Sequence, residues 1–289
     1  MTEVFERDLQ SAPARSARTR REALDVVPWW RWVGHAGYIA EGVIYLLIGG
    51  FALLAAVEPS QEPNGSKGSL ERLDAEPFGH AMLAVLALGL AAFVFWQVIV
   101  AVIDPEHRRG RYTFNRLAAR AGHLCNGALH AVLVGQAIWR LLGIDVGGDD
   151  KRAQAVWTGR VLALPHGRWM VAAAGTGFVV LGLFQIYRAV THKKMERVDL
   201  THAKLRRLIV TFGTLGFFAR GVLLGLIGAY LVDAARRSDT TDASGVAGAL
   251  SALKRLEYGP WLLGMVAVGL ICYGCAQILK EPYRNFRAS

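Results

Sequence analysis

The side chains of this sequence with chemistry to offer are the few ionisable and amide groups set inside long apolar runs. Glu41, Asn126 and Arg220 each stand immediately before a glycine in such a run, and Gln97, Gln185 and Gln277 each stand eighteen residues after another glycine. Tyr45 and His130 follow Glu41 and Asn126 by four residues, one helical turn on, and extend the set. A carboxylate, a guanidinium and amides can hold a polar solute or an ion by charge and hydrogen bonding. The same groups can also hydrogen-bond membrane helices to one another. Both readings stay open at this point.

Other chemistry finds fewer residues to use. His35, His123 and His130 fall in or near apolar runs, and two facing histidines could ligate a haem, but a lone membrane histidine more often packs by hydrogen bonding. The segment His192 to His202 holds Glu196 and Asp199, where a metal site is conceivable, yet basic residues outnumber the acids around it and suit anionic lipid headgroups better. Gly175-Thr-Gly177 begins like a dinucleotide fingerprint but lacks the third glycine and lies in an apolar run. No P-loop, zinc-protease or nucleophile-elbow motif is present. The expectation is a protein that is not an enzyme and carries no cofactor or metal. Cys125, Cys272 and Cys275 all lie in apolar runs, so a disulfide framework is not expected, and the Cys-x-x-Cys reads as small-residue helix packing.

The elements that position these groups follow from hydropathy. A bilayer core about 30 Å thick needs about 20 mostly apolar residues per helix. Six windows meet this: 33–57, 79–102, 121–142, 169–187, 208–232 and 260–279. The chain is 53% hydrophobic and still 19% charged, a mixture that suits apolar spans between charged loops. Val43 to Val57 and Ala81 to Val102 are apolar nearly all the way round, unlike the one-sided stripe of a soluble helix. The expected fold is an all-α membrane protein with six transmembrane helices. Glu41 then lies about 12 Å from one end of its helix, and Gln97 about 8 Å from the same side of the membrane. The six repeated residues would form one polar belt.

The net charge of +10 could suggest nucleic acid, but its placement follows topology. Of 33 Lys and Arg, 21 lie in the tails and alternate loops on one side of the six-window plan and 10 on the other, with Arg140 and Arg220 inside windows. By the positive-inside rule both termini are expected in the cytoplasm. Nucleic acid is not an expected partner. Residues 1–28 read as a disordered tail with no signal sequence, and the first apolar run is too long for one. Trp29, Trp30 and Trp32 read as interfacial anchors.

The windows repeat in pairs. Gly79, Gly89 and Gln97 share their spacing with Gly167, Gly177 and Gln185 and with Gly259, Gly269 and Gln277. Gly37 and Gly42, Gly122 and Gly127, and Gly216 and Gly221 repeat in the helices before them. Gly68-Ser-Leu-Glu-Arg-Leu and Gly248-Ala-Leu-Ser-Ala-Leu each begin eleven residues before a helix glycine, whereas the middle copy offers Gly159-Arg-Val-Leu. The expectation is three pseudo-threefold-related hairpins in units 29–108, 109–194 and 195–289.

Gly37-Tyr-Ile-Ala-Glu-Gly-Val-Ile-Tyr, Ala219-Arg-Gly-Val, Pro77-Phe-Gly, and Tyr258-Gly-Pro-Trp-Leu-Leu running on to Tyr283-Arg284 carry a family resemblance. Over residues 31–287 the sequence resembles the bacterial domain of unknown function 1206 family, whose members look like three tandem two-helix units. The resemblance implies a fold and a location in the bacterial cytoplasmic membrane, and it brings no activity. Its pattern has Arg before the glycine of the first helix, as Arg220 does, while Glu41 and Asn126 depart from it. The expected function is a small transporter, channel or solute-binding membrane protein. The alternative is a structural or accessory protein that docks a membrane-protein partner and uses the belt as glue.

Overall fold

The computed structural model describes residues 29–58, 60–103, 114–144, 158–191, 203–237 and 245–280. The N-terminal tail, the His192 to His202 segment and the Tyr283-Arg284 end lie outside the described residues. Long helices are α1 (Trp29–Val57), α3 (Gly79–Ile103), α4 (Phe114–Leu141), α5 (Gly167–Thr191), α6 (Ala203–Arg237) and α8 (Gly259–Lys280). Two short helices, α2 (Ser66–Asp74) and α7 (Val246–Lys254), precede α3 and α8, and residues 158–162 are helical before α5. The long helices extend past the apolar windows by up to seven residues at an end, because helical hydrogen bonding continues into the charged ends of α4 and α6.

Five of these helices are long and apolar enough to cross a membrane: Trp32–Val57, Gly79–Val102, Gly167–Thr191, Lys204–Arg237 and Gly259–Lys280. Helix α4 is as long but carries His123, Asn126, His130 and Gln136, which lower its hydropathy. The outward surface is apolar. On α3, Met82, Val85, Leu88, Phe95, Val98 and Val102 are exposed along one face, an arrangement that suits lipid and would be a liability in water. Inside, Ile44, Ile48, Leu83, Leu90, Leu223, Leu263 and Leu270 form the core. The protein is a multi-pass membrane protein.

Packing follows the repeat. The second long helix of each copy lies on the first of the next, α3 on α4, α5 on α6, and α8 returning to α1. Inside a copy, α1 packs on α3 and α6 on α8, but α4 and α5 do not pack along their lengths. The six helices therefore form a horseshoe in the order α4, α3, α1, α8, α6, α5. Glycines set the approach. A Cβ on Gly42 would sit 2.9 Å from the Gly274 carbonyl oxygen, and one on Gly221 2.8 Å from that of Gly182, at corresponding places between copies.

The loops before α3 and α8 fold back as short helices whose leucines, Leu70 and Leu250, are buried under the bundle. Each leads through the same tight turn into a span, with Gly79 N–H donating to Glu76 O at 2.8 Å, Gly167 to Leu164 at 2.9 Å and Gly259 to Leu256 at 2.8 Å. Glycine is required at that corner, since a Cβ there would run into the carbonyl groups of the preceding short helix. The residue before it takes φ of 63° at Phe78 and 66° at His166. Copies one and three are latched at this end, where Ser251 Oγ donates to Glu62 Oε2 at 3.0 Å and the Lys254 ammonium donates to the Glu58 and Gln61 carbonyls. At the other end Arg120 donates to the Ala101 and Val102 carbonyls and so satisfies the free end of α3.

A Cβ on Gly89 would lie 2.6 Å from the Ala40 Cβ, and one on Gly269 would collide with Ala219, while Gly177 has nothing within 4 Å. Gly89→Ala and Gly269→Ala should each destabilise the protein by about 1 to 3 kcal/mol through overpacking. Gly177→Ala should be neutral or slightly stabilising, since alanine favours the helix. Thermal melting of the purified protein in detergent measures all three.

Candidate functional site

Arg220 is presented by the middle of α6 and is 7% exposed. Its guanidinium can be buried there because three copies supply acceptors. Nη1 donates to Glu41 Oε1 on α1 at 3.3 Å and to the Tyr273 hydroxyl on α8 at 2.6 Å, and Nη2 donates to Asn126 Oδ1 on α4. The Tyr45 and Tyr273 rings lie under the guanidinium, each with its centroid 5.2 Å from the central carbon, and pack edge to face at 4.7 Å. Glu41, 1% exposed, also accepts from the Tyr273 hydroxyl at 3.0 Å and from the Gln277 amide. The carboxylate and guanidinium form a buried ion pair, which hydrogen bonding on both sides makes tolerable.

The sequence-selected residues divide accordingly. Glu41, Asn126, Arg220 and Gln277 meet directly. Tyr45 joins by stacking. His130 joins through its Nδ1, 2.8 Å from the Asn126 carbonyl oxygen, with its ring against Phe93 at 4.7 Å. Gln97 is buried but faces His123 Nδ1 at 3.2 Å instead. Among the described residues Gln185 Oε1 is buried with no hydrogen-bond partner, whereas its repeat mate Gln277 donates to Glu41. The belt is therefore a cluster around Arg220 with two outlying glutamines. Tyr273 completes the cluster although it is not among the sequence-selected residues. Its signal was its place one turn before Gln277, on the same helix face. Arg140, counted as an intramembrane charge, reaches out of α4 to Asp74 Oδ2 at 3.1 Å and Glu71 Oε1 at 3.2 Å on α2.

Beside the cluster lies a cavity of about 350 Å³ between α1, α4, α5 and α6, within the size range of small-molecule sites. Tyr45, His130 and Arg220 line it at the level of the cluster, Leu133, Phe178 and Ile227 line its walls, and Ser66, Lys67 and Thr158 stand towards the short helices. Among the described residues no group of three or more His, Cys, Asp or Glu is placed to hold a metal ion. The chemistry on offer is hydrogen bonding and charge at one end of an apolar chamber.

Glu41→Gln and Arg220→Gln should each destabilise the protein by about 3 to 5 kcal/mol, because each leaves a buried charge without its counter-ion. The double substitution should recover part of the loss, and a double-mutant cycle on melting in detergent reads the coupling. Gln277→Leu should lower the melting temperature by removing bonds to Glu41 and Tyr273. Gln185→Leu should leave it unchanged or raise it, since it replaces an amide oxygen that has no partner.

Comparison with known proteins places this arrangement in a family. The family described as Domain of Unknown Function (DUF1206) matches residues 36–104, 121–192 and 215–280, and each matched segment contains most of one pair of long helices. The "Uncharacterized protein YxxB" of Bacillus subtilis (strain 168) is 30% identical over 261 residues, covering 89% of this chain and 92% of the relative. No solved structure matches the chain. Three matched segments that together span most of the sequence, with a relative aligned along nearly its whole length, show that the chain belongs to the DUF1206 family.

Proposed function

We propose that this protein binds a small solute inside a six-helix membrane bundle and carries it across the membrane, with α4 as the sixth span and three hairpins related by a pseudo-threefold axis. The observation that carries the proposal is the cavity reaching Arg220. A polar cluster used only to glue helices together would sit in a solid core. Here the buried guanidinium lines a chamber. Because Tyr45, His130 and Arg220 meet at one end of it, the path is closed at that level, which suits a carrier with alternating states better than an open channel. In this reading α4 tolerates its polar residues because they face the cluster and the chamber rather than lipid.

The protein is not an enzyme in this proposal, and no cofactor takes part. Both termini lie in the cytoplasm, following the basic bias of the loops, and those loops rest on anionic lipid headgroups. The short helices α2 and α7 then lie on the outer side. The competing reading, an accessory protein that docks a membrane partner, predicts an interior no more reactive than the core.

Cysteine reactivity separates the two. In protein freed of native cysteines, Leu224→Cys faces the cavity and Leu270→Cys lies in the core. N-ethylmaleimide on membrane vesicles should modify L224C at least tenfold faster than L270C. Equal, slow rates would favour the accessory role. Reporter fusions at the two ends and near Gly65 check the orientation, and an external C-terminus would overturn the six-span plan.

A further inference from the structure

At the flank between α4 and α5 the horseshoe departs from its own repeat. In copy one a Cβ on Gly37 would lie 2.6 Å from the Phe93 Cα, and in copy three one on Gly216 would lie 2.5 Å from the Tyr273 Cα. Gly89 and Gly269 touch Ala40 and Ala219 in the same hairpins. Their counterparts in copy two, Gly122 and Gly177, have nothing within 4 Å. Cys125, which stands where Ala40 and Ala219 stand, is exposed. Copy two thus keeps the small residues of a closed hairpin on helices that are held apart.

The cavity lies behind this opening, and two of its lining groups are unsatisfied. Among the described residues Arg220 Nε on α6 and Gln136 Oε1 on α4 are buried without hydrogen-bond partners, a donor and an acceptor carried by two residues that line the cavity. Between them and the lipid, the walls are Leu129, Leu133, Phe178 and Leu224. The charge of Arg220 is already balanced by Glu41 at 3.3 Å. A further anion would leave the buried cluster with a net charge, which hydrocarbon surroundings penalise. A neutral acceptor or donor carries no such penalty.

We propose that the α4–α5 flank is a lateral gate through which a neutral, single-chain amphiphile enters the cavity from the bilayer. Its chain lies on the leucines and Phe178, and a head bearing hydroxyl or carbonyl groups meets Arg220 Nε and Gln136 Oε1. The gate shuts by forming the glycine contacts that copies one and three already hold. The assignment rests on the reading of the cavity as a binding site and adds its ligand class and its entrance.

The test uses the full chain in phosphatidylcholine nanodiscs, with Cys272 and Cys275 replaced by alanine. If copy two closes as its sisters do, G177C approaches Cys125; closure stopping about an ångström short of the sister geometry brings the Cβ atoms to disulfide separation. Copper-phenanthroline should therefore cross-link Cys125 to the G177C side chain, and 1-monooleoylglycerol should slow that reaction several-fold by holding the flank open. The same lipid should protect L224C, in protein free of other cysteines, from N-ethylmaleimide. Oleate should protect it less. Gln136→Leu should weaken the protection by roughly two- to tenfold, the worth of one hydrogen bond. Reactive L224C with no cross-link overturns the gate and leaves the binding site standing, whereas unreactive L224C with no protection sinks both. Oleate protecting as well as the neutral lipid, or Gln136→Leu without effect, overturns the assigned head group.

Discussion

Hydrocarbon offers no water to a polar group, so each buried charge in this bundle depends on partners that the chain itself supplies. Arg220 is where that requirement is most severe. It draws acceptors from α1, α4 and α8, so that all three copies of the repeat meet at one guanidinium. The tyrosines that stack on it fill the space that a long flexible cation leaves, and Gln277 completes the carboxylate that balances it. The horseshoe is closed around an electrostatic hub rather than around a purely apolar core.

Repetition explains much of the rest. Corresponding glycines make corresponding approaches, and the turn into each second helix uses the same hydrogen bond three times. Divergence is confined to places where a repeat would be unhelpful. Three arginines facing one another could not be buried together, and the copies instead present Glu41, Asn126 and Arg220, a set whose charges cancel and whose amide accepts from the guanidinium. Copy two also lacks the packed hairpin of its sisters, and residues of both its long helices line the cavity.

Five of the six expected spans and the three-fold repeat were legible in the sequence because each is a local pattern with a fixed period, whereas Gly122 and Gly177 repeat in sequence without the close approach of their counterparts. The polar belt placed Glu41 and Arg220 at repeat-equivalent positions, and their ion pair follows because opposite charges in hydrocarbon attract. The segments that form the short helices α2 and α7 repeat in sequence at a fixed distance from a helix glycine, but nine-residue segments between turns carry too little pattern to separate helix from loop. Tyr273 was missed because a tyrosine in an apolar run is usually packing, and only its contacts distinguish it. The unequal fates of Gln97, Gln185 and Gln277 were hidden for the opposite reason. Sequence identity across copies conceals differences in their neighbours.

The distance along the chain between Glu41 and Arg220, 179 residues, has a consequence for how the protein is made. At typical synthesis rates the ribosome needs roughly 10 to 40 seconds to reach the arginine after passing the glutamate. Throughout that interval α1 carries a carboxylate whose counter-ion does not yet exist, and Tyr273 and Gln277 follow later still. The nascent α1 must therefore be sheltered by the insertion machinery or wait near hydrated headgroups until the third copy arrives. Assembly of the bundle is tied to the completion of its last helix, and a chain truncated before α6 would leave Glu41 without the counter-ion that the finished bundle supplies.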